Sequence, residues 1–128
     1  MATEAPGITL PDAEEALETL ASSMRAGVAH DAAFVGIYSG GAWIAERLAK
    51  LVPGDHAVGY VDVSFYRDDY ASKGLKAGAR RSDLPFDVAG ATIVLIDDVL
   101  YTGRSTRAAI NELFDYGRPA AIELAVLV

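Results

Sequence analysis

Two adjacent carboxylates close an apolar run at Ile93-Val94-Leu95-Ile96-Asp97-Asp98, and the turn Val99-Leu100-Tyr101-Thr102-Gly103-Arg104-Ser105-Thr106 follows them. Such a run reads as a buried strand, so both carboxylates arrive at its end, where the turn opens a helix. Backbone N–H groups and the positive end of a helix dipole favour a phosphate there. Gly103 lets the backbone approach it, and Thr102, Ser105 and Thr106 can donate hydrogen bonds. Asp97 and Asp98 are acceptors suited to sugar hydroxyls or, directly or through water, to Mg²⁺. Together these groups fit a sugar phosphate. Taken singly, either aspartate is more simply a solvated strand-end residue, but two carboxylates, a glycine and three hydroxyls between positions 97 and 106 make an ordinary capping turn the weaker account.

Other phosphate chemistries are excluded by spacing. An apolar run ending in Asp-Asp also suits the Walker B strand of a nucleoside triphosphatase, yet no G-x-x-x-x-G-K-[ST] loop exists in the chain. The stretch Gly36-Ile37-Tyr38-Ser39-Gly40-Gly41 does not give the G-x-G-x-x-G of a dinucleotide site. With no cysteine, thiol catalysis and cysteine metal sites are out, and two histidines, His30 and His56, are too few for a histidine cage. A metal must therefore rest mainly on oxygen ligands.

The elements that must carry these residues follow from periodicity. Leu17, Leu20, Met24 and Val28 lie at helical spacing in 11–28, and Phe34-Val35-Gly36-Ile37 reads as a buried strand. The turn Tyr38-Ser39-Gly40-Gly41 leads into a helix with Trp43, Ile44, Leu48 and Leu51 before Pro53. A second strand is expected over 57–66, then a long polar segment, 67–83, of the kind that is usually functional. The strand before Asp97 spans 91–96. A helix with Ile110, Leu113 and Phe114 ends near Gly117, and 121–128 reads as another buried strand. Alternating strands and helices predict an α/β fold with a mainly parallel sheet flanked by helices.

Length and composition set the frame. A chain of 128 residues, 52% hydrophobic and 23% charged, has room for one core and enough apolar surface to bury it. No apolar run reaches membrane-spanning length and the acidic N-terminus lacks a signal-peptide pattern, so a soluble cytoplasmic protein with no membrane partner is expected. The net charge of −7 is a poor prior for nonspecific nucleic-acid binding. It is unevenly placed. Residues 1–66 carry three basic and nine acidic side chains, whereas 67–118 carry eight of each, with Arg67, Lys73, Lys76, Arg80 and Arg81 close together.

Residues 93–105 resemble the phosphoribosyl pyrophosphate (PRPP) motif of the type I phosphoribosyltransferases. The version Val99-Leu100-Tyr101-Thr102-Gly103-Arg104, with Phe114-Asp115-Tyr116-Gly117-Arg118-Pro119, Leu124-Ala125-Val126-Leu127-Val128 and Asp62-Val63-Ser64-Phe65-Tyr66-Arg67-Asp68-Asp69, is similar to one subfamily, the PyrR-type pyrimidine-operon regulators with uracil phosphoribosyltransferase activity. The match covers nearly the whole chain. It implies the type I phosphoribosyltransferase fold, transfer of phosphoribose from PRPP to uracil to give UMP and pyrophosphate, and Mg²⁺ as cofactor.

By the same resemblance Asp97 and Asp98 hold the ribose hydroxyls and, directly or through water or ribose, the metal. Leu100, Tyr101, Thr102, Gly103, Arg104, Ser105 and Thr106 bind the 5′-phosphate. Ser39, Gly40 and Gly41 match the pyrophosphate loop, although many relatives carry an arginine there that this chain lacks. Tyr66, Arg67, Asp68 and Asp69 match a mobile loop that closes over the site, with Arg67 counted as catalytic. A homodimer or higher homo-oligomer is implied, and a pyr leader RNA is a partner of relatives that the acidity of this chain disfavours.

Each of these residues has a plainer account. Arg67 could pair with Asp68 or Asp69 at the surface, and Lys73, Lys76, Arg80 and Arg81 could form a solvated face. Tyr38, Trp43 and Phe65 are expected to pack, and His30 and His56 to lie at the surface. Residues 1–128 are read as one phosphoribosyltransferase domain lacking the segment that follows the last strand in the family and contributes to the base pocket. Two alternatives stay open: an RNA-binding attenuator that senses UMP or PRPP with little catalysis, and a type I phosphoribosyltransferase for another base.

Overall fold

The computed structural model describes residues 10–38, 40–63, 82–98 and 104–127. Its sheet has four strands, β1 (Ala33–Ile37), β2 (Val58–Val61), β3 (Thr92–Asp97) and β4 (Ala121–Val126), in the order β2-β1-β3-β4. All three pairings are parallel, with Phe34 opposite Val58 and Val94, and Val94 opposite Glu123. Parallel neighbours need crossovers. Helix α2 (Gly40–Leu51) lies between β1 and β2 in the chain, and α3 (Arg104–Phe114) between β3 and β4.

Alternation along the central strands separates two apolar clusters. Phe34, Val94 and Ile96 point to one face, where they meet Ile44 and Leu48 of α2 and Leu17, Ala21 and Met24 of α1 (Leu10–Gly27). Val35, Ile37, Ile93 and Leu95 point to the other, against Ala108, Ala109 and Leu113 of α3. Both central strands are therefore covered on both sides, which explains why they read as unbroken apolar runs. Among the described residues no helix is long and apolar enough to cross a membrane.

Four expectations need correction. β2 ends at Val61 rather than 66, because its partner β1 ends too: the Tyr38 N–H donates to the Val61 carbonyl at 2.9 Å and the chain then turns into α2. Residues 64–66 of that expected strand lie outside the described residues. β4 is not a buried strand. It sits at the sheet edge, α3 packs toward β1 and β2, and of its side chains Ala125 is buried while Leu124 is exposed. His56 is half-buried and not a surface residue, its ring stacked on Phe34 with centroids 4.2 Å apart. Its Nδ1 and Nε2 lie 2.7 and 3.0 Å from the Ala32 and Pro53 carbonyls, so it packs the entry to β1. Trp43, expected to pack, is 41% exposed.

Candidate functional site

In a doubly wound sheet, ligands bind outside the carboxyl ends of the strands where the chain switches direction across the sheet. Here that point lies between β1 and β3. β1 leads through α2 to β2 on one side, and β3 leads through α3 to β4 on the other. The first turn of α2 thus follows the end of β1, and α3 follows β3, its paired neighbour, in the chain. Neither first turn carries an acidic side chain, so both positive helix ends are left for an anion.

Asp97 is the last residue of β3 and is buried, 8% exposed, while Asp98 just beyond it is half-buried. The Asp98 N–H donates to Asp97 Oδ1 at 2.8 Å. Burial pushes the Asp97 carboxyl up to about 6, and hydrogen bonding to the Asp98 side chain and its charge act in the same direction; the Asp98 N–H opposes them. A carboxyl held so far up is poised for a partner that favours its ionised form, such as a cation.

Glycine lets α2 reach this pair. A Cβ on Gly40 would stand 2.1 Å from Asp98 Oδ2, and one on Gly41 would stand 2.3 Å from the Ile96 carbonyl oxygen. One layer back, a Cβ on Gly36 of β1 would fall 2.3 Å from the Gly41 oxygen. The neighbours of Gly36 and Gly41 are backbone and cannot yield, so the helix start can lie on the β1 and β3 strand ends only with no side chain at those two positions, while at Gly40 the neighbour is the Asp98 carboxyl. Gly40 and Gly41 form the first turn of α2 rather than a loop before it. The part played by Gly36 is not visible from local sequence, where it is one residue of an apolar strand.

Across the site, Thr106 lies in the first turn of α3, and its Oγ1 is buried without a hydrogen-bond partner among the described residues. An orphaned hydroxyl at a helix start is what a bound phosphate would satisfy. Arg104 and Ser105 beside it are exposed. Ser39, Tyr66, Arg67, Asp68, Asp69, Leu100, Tyr101, Thr102 and Gly103 lie outside the described residues.

The donor set bears on Mg²⁺. Among the described residues no three histidine, cysteine, aspartate or glutamate side chains converge. Asp97 and Asp98 are a hard oxygen pair able to supply only part of an octahedron. This fits Mg²⁺, which keeps waters and takes substrate oxygens rather than a protein cage.

Glu112 is a buried residue that the sequence reading passed over. It lies on the inner face of α3, 7% exposed, and accepts a hydrogen bond from Ser82 Oγ at 2.8 Å. The sequence signal was present, since Ala108, Ala109, Glu112 and Leu113 share one helical face and only Glu112 is polar.

A family model described as a phosphoribosyl transferase domain matches residues 9–128. The chain is 56% identical over 121 residues to the "Bifunctional protein PyrR" of Ralstonia nicotianae, covering 91% of this chain and 69% of that one. It is 46% identical over 125 residues to the protein of that name from Pseudomonas savastanoi, covering 94% and 74%. Among solved structures, a purine phosphoribosyltransferase from Pyrococcus horikoshii superposes with a TM-score of 0.68 at 25% identity, over 93% of this chain and 73% of that one. The parallel sheet, the carboxylates at its switch point and these relatives agree: the chain belongs to the phosphoribosyltransferase family, in its PyrR branch.

Proposed function

We propose that the protein transfers phosphoribose from PRPP to uracil, giving UMP and pyrophosphate, with Mg²⁺ as cofactor. The observation that carries this reading is the seating of the Gly40 backbone on the Asp98 carboxyl, which brings the start of α2 onto the carboxylate pair at the end of β3. Uracil as the base is supported by identity to the PyrR proteins, since the purine enzyme shares the fold at much lower identity.

The roles follow from charge. As the bond to pyrophosphate breaks, the ribosyl centre gains positive charge and the leaving group negative charge. Groups that match this change bind the transition state better than the substrate. Asp97 and Asp98 accept from the ribose hydroxyls and face the developing cation. The first turn of α3, with the Thr106 hydroxyl, holds the 5′-phosphate, and the first turn of α2 faces the pyrophosphate. Arg67, on the stretch matching the family's closing loop, supplies positive charge toward the leaving group. When bound by Asp97 and Asp98, Mg²⁺ supplies neutralisation of pyrophosphate charge.

The test is direct. With PRPP and Mg²⁺, UMP is expected from uracil and little nucleotide from hypoxanthine, adenine or orotate; nucleotide from one of those bases instead would reassign the substrate. Asp98→Asn should lower turnover about a hundredfold, the scale of removing one preorganised charge contact. An unchanged rate would show that the carboxylate assignment is wrong.

A second role, binding of pyr leader RNA, is favoured by the word "bifunctional" in the relatives' name. A gel shift sensitive to UMP and weakening with salt is its expected signature.

A further inference from the structure

We propose that the Ser82–Glu112 hydrogen bond sets the register of α3 on the sheet and thereby positions the phosphate-facing first turn of that helix. The inference rests on the reading above, in which Thr106 and its neighbours receive the 5′-phosphate. Glu112 is a positioning residue and does not itself touch substrate.

The remaining contacts of α3 define its place only loosely. Its apolar contacts are Ala108, Ala109 and Leu113, two methyl groups and one branched side chain, with half-buried Ile110 beside them, over the apolar cluster beneath. Such a face excludes a large rotation, which would bury Arg107 or Asn111, but it penalises small rotations and axial shifts only weakly, because apolar contact is non-directional. Shifts of a fraction of the rise per residue, about 1.5 Å, and the small rotations that accompany them stay within that latitude. Either motion would displace the Thr106 hydroxyl at the helix start. A directional contact on the inner face runs from Ser82 Oγ to Glu112 Oε2, at 2.8 Å. A carboxyl buried to 7% exposure carries a desolvation cost that this bond partly offsets, so rotations that break it are penalised.

The other end of the bond is fixed. Asp83, next to Ser82, exchanges two backbone hydrogen bonds with Tyr60 of β2, both 2.8 Å, in an antiparallel bridge. Leu84, Phe86 and Val88 then pack into the cluster under α3. Ser82 is thus held by the sheet, and Glu112 ties the helix to it. Fixing register is the best-attested use of a buried polar contact, and an apolar replacement of such a group often leaves stability unchanged or raised.

That separates register from stability. Glu112→Leu should melt at or above the wild-type temperature yet bind PRPP with Mg²⁺ about tenfold more weakly by calorimetry. Ser82→Ala should weaken binding in the same direction. Glu112→Gln, whose amide oxygen still accepts from Ser82, should stay within about twofold. In the ligand-free protein, hydrogen exchange of the α3 amides at 108–113, which donate within the helix, should accelerate in Glu112→Leu and Ser82→Ala but not in Glu112→Gln. Unchanged affinity, unchanged exchange, or a Gln variant as impaired as Leu each overturns the proposal. If the wild-type protein does not bind PRPP, the functional reading falls, and exchange alone decides: acceleration in both variants supports the register role and its absence refutes it.

Discussion

Asp97 ends an apolar strand, is buried, and has a second carboxyl beside it, so its proton is held up to about 6. The folded state therefore binds that proton more tightly than the unfolded chain, whose ordinary value is 3.8. The stability this contributes is full below the ordinary value and is lost as pH rises through about 6. Without Mg²⁺, Asp97→Asn should raise the melting temperature by a few degrees at about pH 7.5 and leave it nearly unchanged at about pH 4. Added Mg²⁺ should narrow the difference at the higher pH by favouring the ionised wild-type side chain. A substitution that destabilises equally at both pH values would contradict the strain assigned to this carboxyl. The pair itself was legible in the sequence because its signal is local: an apolar run, two acids, then hydroxyls and glycine. The burial that perturbs Asp97 was not, since it depends on packing from both faces of the sheet.

At the scale of elements, α1, α2, β1, β3 and α3 could be read from periodicity and turn residues within a few positions. β2 was overextended because its limit is set by where β1 stops, which local composition does not record. The close seating of α2 on β1 and β3 depends on Gly36, Gly40 and Gly41 coming together across the β1–α2 turn and the sheet. Gly36→Ala would place a Cβ against the Gly41 backbone, which has no flexible end to yield. It should cost about 1–3 kcal/mol by urea denaturation, the range of core overpacking, and lower PRPP affinity by lifting α2 off the strand ends. Full affinity in the folded variant would show that the seating of α2 is not needed for binding.

At the scale of the molecule, the central strands join two apolar clusters. On β3, Val94 and Ile96 serve one cluster and Ile93 and Leu95 the other. The described structure should therefore unfold as a unit, with Trp43 fluorescence and far-UV circular dichroism changing together in urea. Leu95→Ala, at a fully buried position, should cost about 2–5 kcal/mol and shift both signals equally. A shift in one signal alone would mean that the clusters are independent.

The sequence by itself determined the α/β class, the order of most elements, the carboxylate pair that ends an apolar strand, and the family to which they belong. These are properties of neighbours along the chain, recorded as period, spacing and residue type. Only the tertiary structure decided that the α2 start rests on Asp98, that Thr106 holds a hydroxyl without a partner among the described residues, that β4 is an exposed edge, and that Glu112 reaches Ser82. Each of those depends on segments distant in sequence meeting across a sheet, and burial and close approach exist only once they have met.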